Sequence, residues 1–215
     1  AEINEAMERI DMGLRKSLEL SPAEKEQVAY HEAGHAITAY LLHPTDDVFK
    51  ATIIPRTVGF LGYVYHRSKE EMHIHNKEYY LANIKVALGS YAAEMLKFRT
   101  TTSGVGEDML QAAFWAYNMV WCWGMGSSGM KGNFKELSKN FSSFSAWPQM
   151  SFISEKTKER LDDDVQSILS QCLQEVEDLL KKESALLDRF AGELIAKEEL
   201  DYDQIETIFK ECGKE

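Results

Sequence analysis

"SPAEKEQVAYHEAGHAITAYLLHP", residues 21–44, decides how this chain is read. It opens as a helix should. Ser21 can cap, Pro22 sits at the first helical position where its missing N–H costs nothing, and Glu24 lies where it can close a capping box. No breaker follows until Pro44 and its neighbouring turn residues stop the helix after Leu42. Mid-helix, His31 and His35 are four apart, so they stand on one face and both imidazoles can reach a single ion. Glu32 is beside His31 rather than stacked on it, which lets its carboxylate reach a water on that ion without becoming a ligand. Gly34 removes bulk beside His35. Val28, Ala29, Ala33, Ala36, Ile37, Ala39 and Leu41 would bury the helix and dry the site. The same spacing also fits two hydrogen-bonded core histidines, so the metal reading requires a third donor.

Thr38 and Leu41 occupy the positions where a metzincin continuation needs Gly and His, which excludes that class. Two acids remain open as the third donor. Glu94 lies in "YAAEMLKF" on a second helix, and Asp108 lies in "TSGVGEDML" at the mouth of a third. The bland alternative for Asp108 is a helix N-cap.

The rest of the chain supplies a frame. "VFKATIIP" (48–55) and "GFLGYVYH" (59–66) are β-branched and aromatic, separated by Pro55 and Gly59, and predict a small sheet of two or three strands. Tyr80, Ile84, Ala87, Leu88, Tyr91 and Met95 repeat at helical spacing over about 76–98. From Asp108 the sequence turns apolar on several faces, as an enclosed helix does. Residues 124–152 form a long loop rich in Gly, Ser and aromatics, a length that is usually functional or mobile. From Ser154 an amphipathic helix carries Leu161, Val165, Ile168, Cys172, Val176 and Leu179 on one stripe, with shorter helices expected at 184–197 and 202–211. The opening "INEAMERIDMGLRKSL" (3–18) also reads as helix. The expected class is mainly α (α+β), with a small β-sheet and a C-terminal helical bundle.

Composition narrows the function classes. The chain has 215 residues, 44% apolar, enough for a sizeable core. Its net charge of −11 argues against a nucleic-acid footprint. Cys122, Cys172 and Cys212 are odd in number and scattered, which suits reduced thiols in an intracellular compartment. No apolar run reaches the roughly 20 residues of a membrane span, and the start lacks the pattern of a signal peptide. His73, His75, His43 and His66 read as surface residues, the aromatic run 114–123 as core or subunit interface, and the acidic C-terminal helices as solvated faces.

Taken together, "EKEQVAYHEAGHAI", "KATIIPR", "LGYV", "ALGSYAAEML", "TTSGVGEDMLQAA" and "VWCWGMG" resemble, in order, the peptidase domain of the FtsH family of membrane-anchored AAA zinc metalloproteases. The resemblance runs from about Asn4 through the C-terminal helices. It implies zinc on His31, His35 and Asp108, with Glu32 as general base and Glu94 left as a supporting or surface acid and the fallback ligand. It further implies residues 1–20 as a link to an upstream ATPase module, 21–153 as the zinc-binding peptidase core, and 154–215 as a helical region of the same domain. ATP and Mg2+ would belong to the ATPase module alone. The expected function is zinc-dependent endopeptidase cleavage of unfolded or membrane proteins within a homo- or hetero-hexamer. The membrane anchor would lie outside these residues and the domain on the cytoplasmic side or in an organelle interior. The Gly59–His66 strand is the expected edge for an extended substrate.

Several positions depart from the family pattern. Glu107 replaces an Asn beside the third ligand, so two acids would compete for the metal. Ser90-Tyr91 stands for Gly-Arg, and Tyr117, Trp121 and Trp123 add aromatics. These departures support a rival reading, a catalytically weak or inactive scaffold subunit of a hetero-oligomeric AAA complex. A stand-alone zinc peptidase without a motor is the third.

Overall fold

The computed structural model describes residues 14–16, 18–57, 59, 61–68, 72–135, 137 and 153–214. Most of the opening stretch read as helix, and residues 138–152 of the long loop, lie outside these. The described end of the opening stretch is not helical. Arg15 forms an antiparallel bridge with Arg56, the Lys16 N–H donates to the Pro55 carbonyl at 2.8 Å, and the Thr57 N–H donates to the Leu14 carbonyl at 2.9 Å. Pairing with a segment some 40 residues away overrides local helix preference here.

Six α-helices are present among the described residues. Helix α1 (Pro22–Leu42) starts with the expected capping box: the Ser21 N–H donates to Glu24 Oε2 at 2.8 Å and the Glu24 N–H donates to Ser21 Oγ at 3.3 Å. It is the spine of the molecule, with Ala29, Ala33, Ala36, Ile37 and Ala39 inaccessible to solvent. Strands β1 (Asp46–Thr52) and β2 (Tyr63–Ser68) follow, then α2 (Lys77–Phe98), whose Asn76 cap accepts from the Tyr79 N–H at 3.0 Å. A turn of 3-10 helix (Ser103–Val105) leads directly into α3 (Gly106–Trp121), and α4 (Glu155–Lys182), α5 (Ser184–Lys197), β3 (Glu199–Asp201) and α6 (Tyr202–Glu211) complete the order.

The sheet has the order β2-β1-β3, all antiparallel, so β2 is an edge. Its third strand comes from the C-terminal region, where three residues carry no strand signal of their own. Pairing with β1 creates it. Both predicted strands are shifted: β1 begins two residues early, and β2 begins after Gly62.

Two apolar clusters share α2 as a wall. Val86, Ala92 and Ala93 face a core built from α1, β1, α5 and α6, which includes Phe190, Leu194, Ile205 and Phe209. Ile84, Ala87 and Leu88 face α3 and α4 through Met119, Leu161 and Ile168. Burial on two sides explains why the single stripe predicted for α2 is wrong at Met95, which is exposed. In α4, Leu180 rather than Leu179 ends the buried stripe. The three cysteines are free, and no helix among the described residues is long and apolar enough to cross a membrane.

Helices α1 and α2 touch backbone to backbone. A Cβ on Gly34 would lie 2.3 Å from the Gly89 carbonyl oxygen, and one on Gly89 would lie 2.6 Å from the Gly34 carbonyl oxygen. Gly34 therefore serves the helix crossing, where a side chain cannot fit, rather than clearing room beside His35.

Candidate metal centre

Because α1 and α2 are so close, what α2 exposes at the crossing lies within hydrogen-bond reach of the α1 histidines. His31 Nδ1 is 2.8 Å from Glu94 Oε1, and His35 Nδ1 is 2.8 Å from the Val86 carbonyl oxygen. Each ring is thus tied by one nitrogen, which fixes its orientation and turns the other outward. Both Nε2 atoms point to the first turn of α3. His31 Nε2 is 3.2 Å and His35 Nε2 is 3.3 Å from the same atom, Asp108 Oδ2.

One donor atom from each of His31, His35 and Asp108 lies within 4.8 Å of the others, and no other trio of possible ligands does so among the described residues. Two imidazoles and a carboxylate suit zinc, which takes three protein ligands in catalytic sites and leaves the fourth position open. The cluster is only partly enclosed, with Asp108 side-chain exposure of 23%. The donor set and its supports fit the metal.

Asp108 is not an N-cap. Helix α3 begins two residues before it, with Val105 at the cap and no side-chain cap bond. Glu94 is neither a surface acid nor a member of the converging trio. It is buried, and its carboxylate also accepts from the Thr102 N–H at 2.5 Å and from Thr102 Oγ1 at 3.2 Å. Glu107 is exposed and outside the cluster, so two acids do not meet there. Successive helix residues point about 100° apart, and Asp108 takes the inward position.

The charges are strongly coupled. Burial opposes a proton on His31, yet hydrogen bonds to Asp108 and Glu94 overcome it and lift the imidazole to about 10. His35 is also raised against its burial, through Asp108. Burial pushes Asp108 up, but both histidines and Ser90 hold it well below the usual carboxylate range. The three groups together thus favour positive charge where a cation would sit.

A search of family models matches residues 18–208 to Peptidase family M41. That span covers most of the chain, and its site geometry agrees with the motif order. The chain belongs to peptidase family M41. Among M41 relatives, the protein named ATP-dependent zinc metalloprotease FtsH from Borreliella burgdorferi is 36% identical over 214 residues, covering 96% of this chain and 32% of the relative. Proteins of the same name from Nitrosococcus oceani and Methylibium petroleiphilum are 35% and 36% identical, covering 96% and 94% of this chain and 32% and 33% of the relatives. The chain spans about a third of the length of the M41 relatives it matches. It is an FtsH-like member of a zinc metalloprotease family.

Within this M41 chain Glu32 is buried, and burial raises its carboxyl above the usual range, partly opposed by His31 and His35. The loop entering β2 presses on it: a Cβ on Gly62 would lie 2.7 Å from Glu32 Oε1 and from the Thr52 carbonyl oxygen. The added aromatics pack on one another, Tyr117 stacking on Trp121 and Trp123 against Tyr80. Phe114 and Trp123 remain substantially exposed. His43 corrects the surface reading, for its side chain is fully buried, whereas His73 is exposed. Sequence reading allowed Glu94 a supporting role but missed those of Val86 and Ser90 on the same helix. The signal is the spacing of Val86, Ser90 and Glu94, four apart on one helix face.

Proposed function

We propose that this chain is a zinc-dependent endopeptidase domain, with His31, His35 and Asp108 holding the metal and Glu32 acting as general base. The observation that carries this reading is the convergence of both Nε2 atoms on Asp108 Oδ2 while both Nδ1 atoms are tied elsewhere. When bound, zinc would supply a Lewis acid that makes water nucleophilic near neutral pH and polarises the scissile carbonyl. Glu32 takes the proton from the attacking water and delivers it to the leaving amine. Its raised proton affinity brings it nearer to neutral working pH, as a base that must also act as acid requires.

An extended substrate would lie along the outer edge of β2 and pair by main-chain hydrogen bonds, which favours broad cleavage. The support for this is the edge position of β2 and the closeness of Gly62 to Glu32. Proline at Tyr63 is expected to impair cleavage; intact fold and intact proteolysis would discard the edge role.

The relatives' name describes ATP-dependent zinc metalloproteases, and the proposal extends to a whole protein in which an ATPase module delivers unfolded or membrane proteins to this domain. Hexameric assembly and a membrane anchor outside these residues belong to the same proposal. The scaffold reading draws no support from the site, where Glu32 is intact and Glu107 is turned outward.

The test is zinc content per chain of wild type, Asp108→Ala and Glu94→Ala, with casein cleavage by each and by Glu32→Gln. Near-stoichiometric zinc lost in Asp108→Ala, with cleavage lost in Glu32→Gln, is the expected outcome. Zinc-loaded wild type that stays inert when assembled with its ATPase would favour the scaffold, and absence of zinc would make His31 and His35 core residues.

A further inference from the structure

Helix α2 offers three polar groups at four-residue intervals, and each supports a different member of the converging trio. The Val86 carbonyl holds His35 and the Glu94 carboxylate holds His31. Between them Ser90, fully buried, donates its hydroxyl to Asp108 Oδ2 at 2.7 Å. Its alternative acceptor, the Ala87 carbonyl, is farther away at 3.3 Å. Gly89 fixes the location of Ser90: contact with Gly34 locks α2 against α1 and sets the height at which the hydroxyl meets Asp108.

We infer that Ser90 is a positioning residue for the metal site: its hydroxyl fixes the Asp108 carboxylate so that Oδ2 is presented to the point on which His31 and His35 Nε2 converge. This rests on the reading of Asp108 as a ligand. An ionised carboxylate oxygen accepts more than one bond, so Ser90 can occupy one lone-pair direction of Oδ2 and leave another toward the two imidazoles. Without the hydroxyl, Asp108 keeps its charge but regains torsional freedom about the side chain, and ordering it would oppose metal binding.

The test is zinc affinity by competition with a chromophoric chelator, on Ser90→Ala, Ser90→Gly, Asp108→Ala and wild type, with metal-free melting temperatures alongside. Both Ser90 variants lack the hydroxyl but differ in bulk. The expected result is a loss of about tenfold or more in zinc affinity in both, with metal-free melting near wild type. The d–d absorption of cobalt(II) placed in the site is expected to shift in both. Wild-type affinity in either variant, or a loss that follows bulk by sparing one of them, overturns the inference. If Ser90→Ala and Ser90→Gly bind normally while Asp108→Ala does not, only the role of Ser90 fails. If Asp108→Ala binds zinc as wild type does, the ligand reading fails and takes this one with it.

Discussion

Near its middle helix α1 offers two histidines to an aspartate of α3, and at its C-terminal end it meets a second group of two histidines and an aspartate; the two are wired differently. At the middle, each Nδ1 is bound by α2, leaving both Nε2 atoms to converge on one Asp108 oxygen. At the end, Asp46 consumes the Nδ1 atoms. His66 Nδ1 is 2.8 Å from Asp46 Oδ2, and His43 Nδ1 accepts from the Asp46 N–H at 3.0 Å. His43 Nε2 is left buried with no hydrogen-bond partner, next to the Tyr79 ring. Similar side chains therefore give one converging donor set and one turn-locking knot. Which ring nitrogen the neighbours occupy matters more than which residues are present.

The largest expected effect is chemical and belongs to the first cluster alone. Glu32→Gln should lower casein cleavage by about 10²–10⁴-fold while zinc remains bound; comparable cleavage by both proteins would break the assignment of the base. Next in size is the supporting contact on His31. Glu94→Gln should weaken zinc binding by about 10–100-fold, whereas Asp46→Asn at the other cluster should leave it unchanged. Equal losses in a chelator titration would erase the contrast between the two ends of the helix.

Smaller again is an effect on the helix crossing. Gly89→Ala places a methyl against the Gly34 backbone and should cost about 1–3 kcal/mol in urea unfolding of the metal-free chain. Zinc affinity should fall with it, because α2 carries the supports; unchanged stability would mean the crossing yields easily.

The smallest effect is the pH response of the second cluster. Burial holds His43 below the ordinary imidazole range, with Asp46 opposing and His66 and His75 reinforcing that shift. A proton is therefore bound less readily by the folded chain than by the unfolded one. This stability is fully present above about pH 6.5 and declines as pH falls through the depressed value. Asp46, held low mainly by His66 against its own burial, acts in the same direction at more acid pH. His43→Asn keeps an acceptor for the Asp46 N–H and should flatten the fall in melting temperature between pH 7 and 5. An unaltered slope would show that the knot does not titrate there.

Legibility followed the range of the interaction. Both ends of α1 could be read because Ser21, Pro22 and Glu24 at its start and Pro44 beyond its end act locally, and α6 fell on its expected residues with a capping box of its own, Asp201 and Gln204; α5 also fell on its expected residues, without a side-chain cap. Strand β3 could not be read, since its three residues are extended only through β1. In the site, His31, Glu32 and His35 were fixed by spacing on one helix. The choice between Glu94 and Asp108 was not, because local pattern gives each acid a helix but no direction. His43 was misjudged because a histidine beside a proline and turn residues resembles a surface residue until β2 and α2 close over it.

By itself the sequence determined the helix under the motif, the caps that bound it, the family pattern and the identity of every group that could bind or move a proton. These depend on covalent neighbours and helical periodicity, which act over a few residues. Only the tertiary structure decided that Asp108 converges while Glu107 turns away, that Glu94 and Val86 hold the imidazoles, and that Ser90 reaches Oδ2. The physical reason is the glycine contact between α1 and α2. It brings three helices close enough for hydrogen bonds of about 3 Å, and directional bonds at that range depend on packing that no short stretch of sequence encodes.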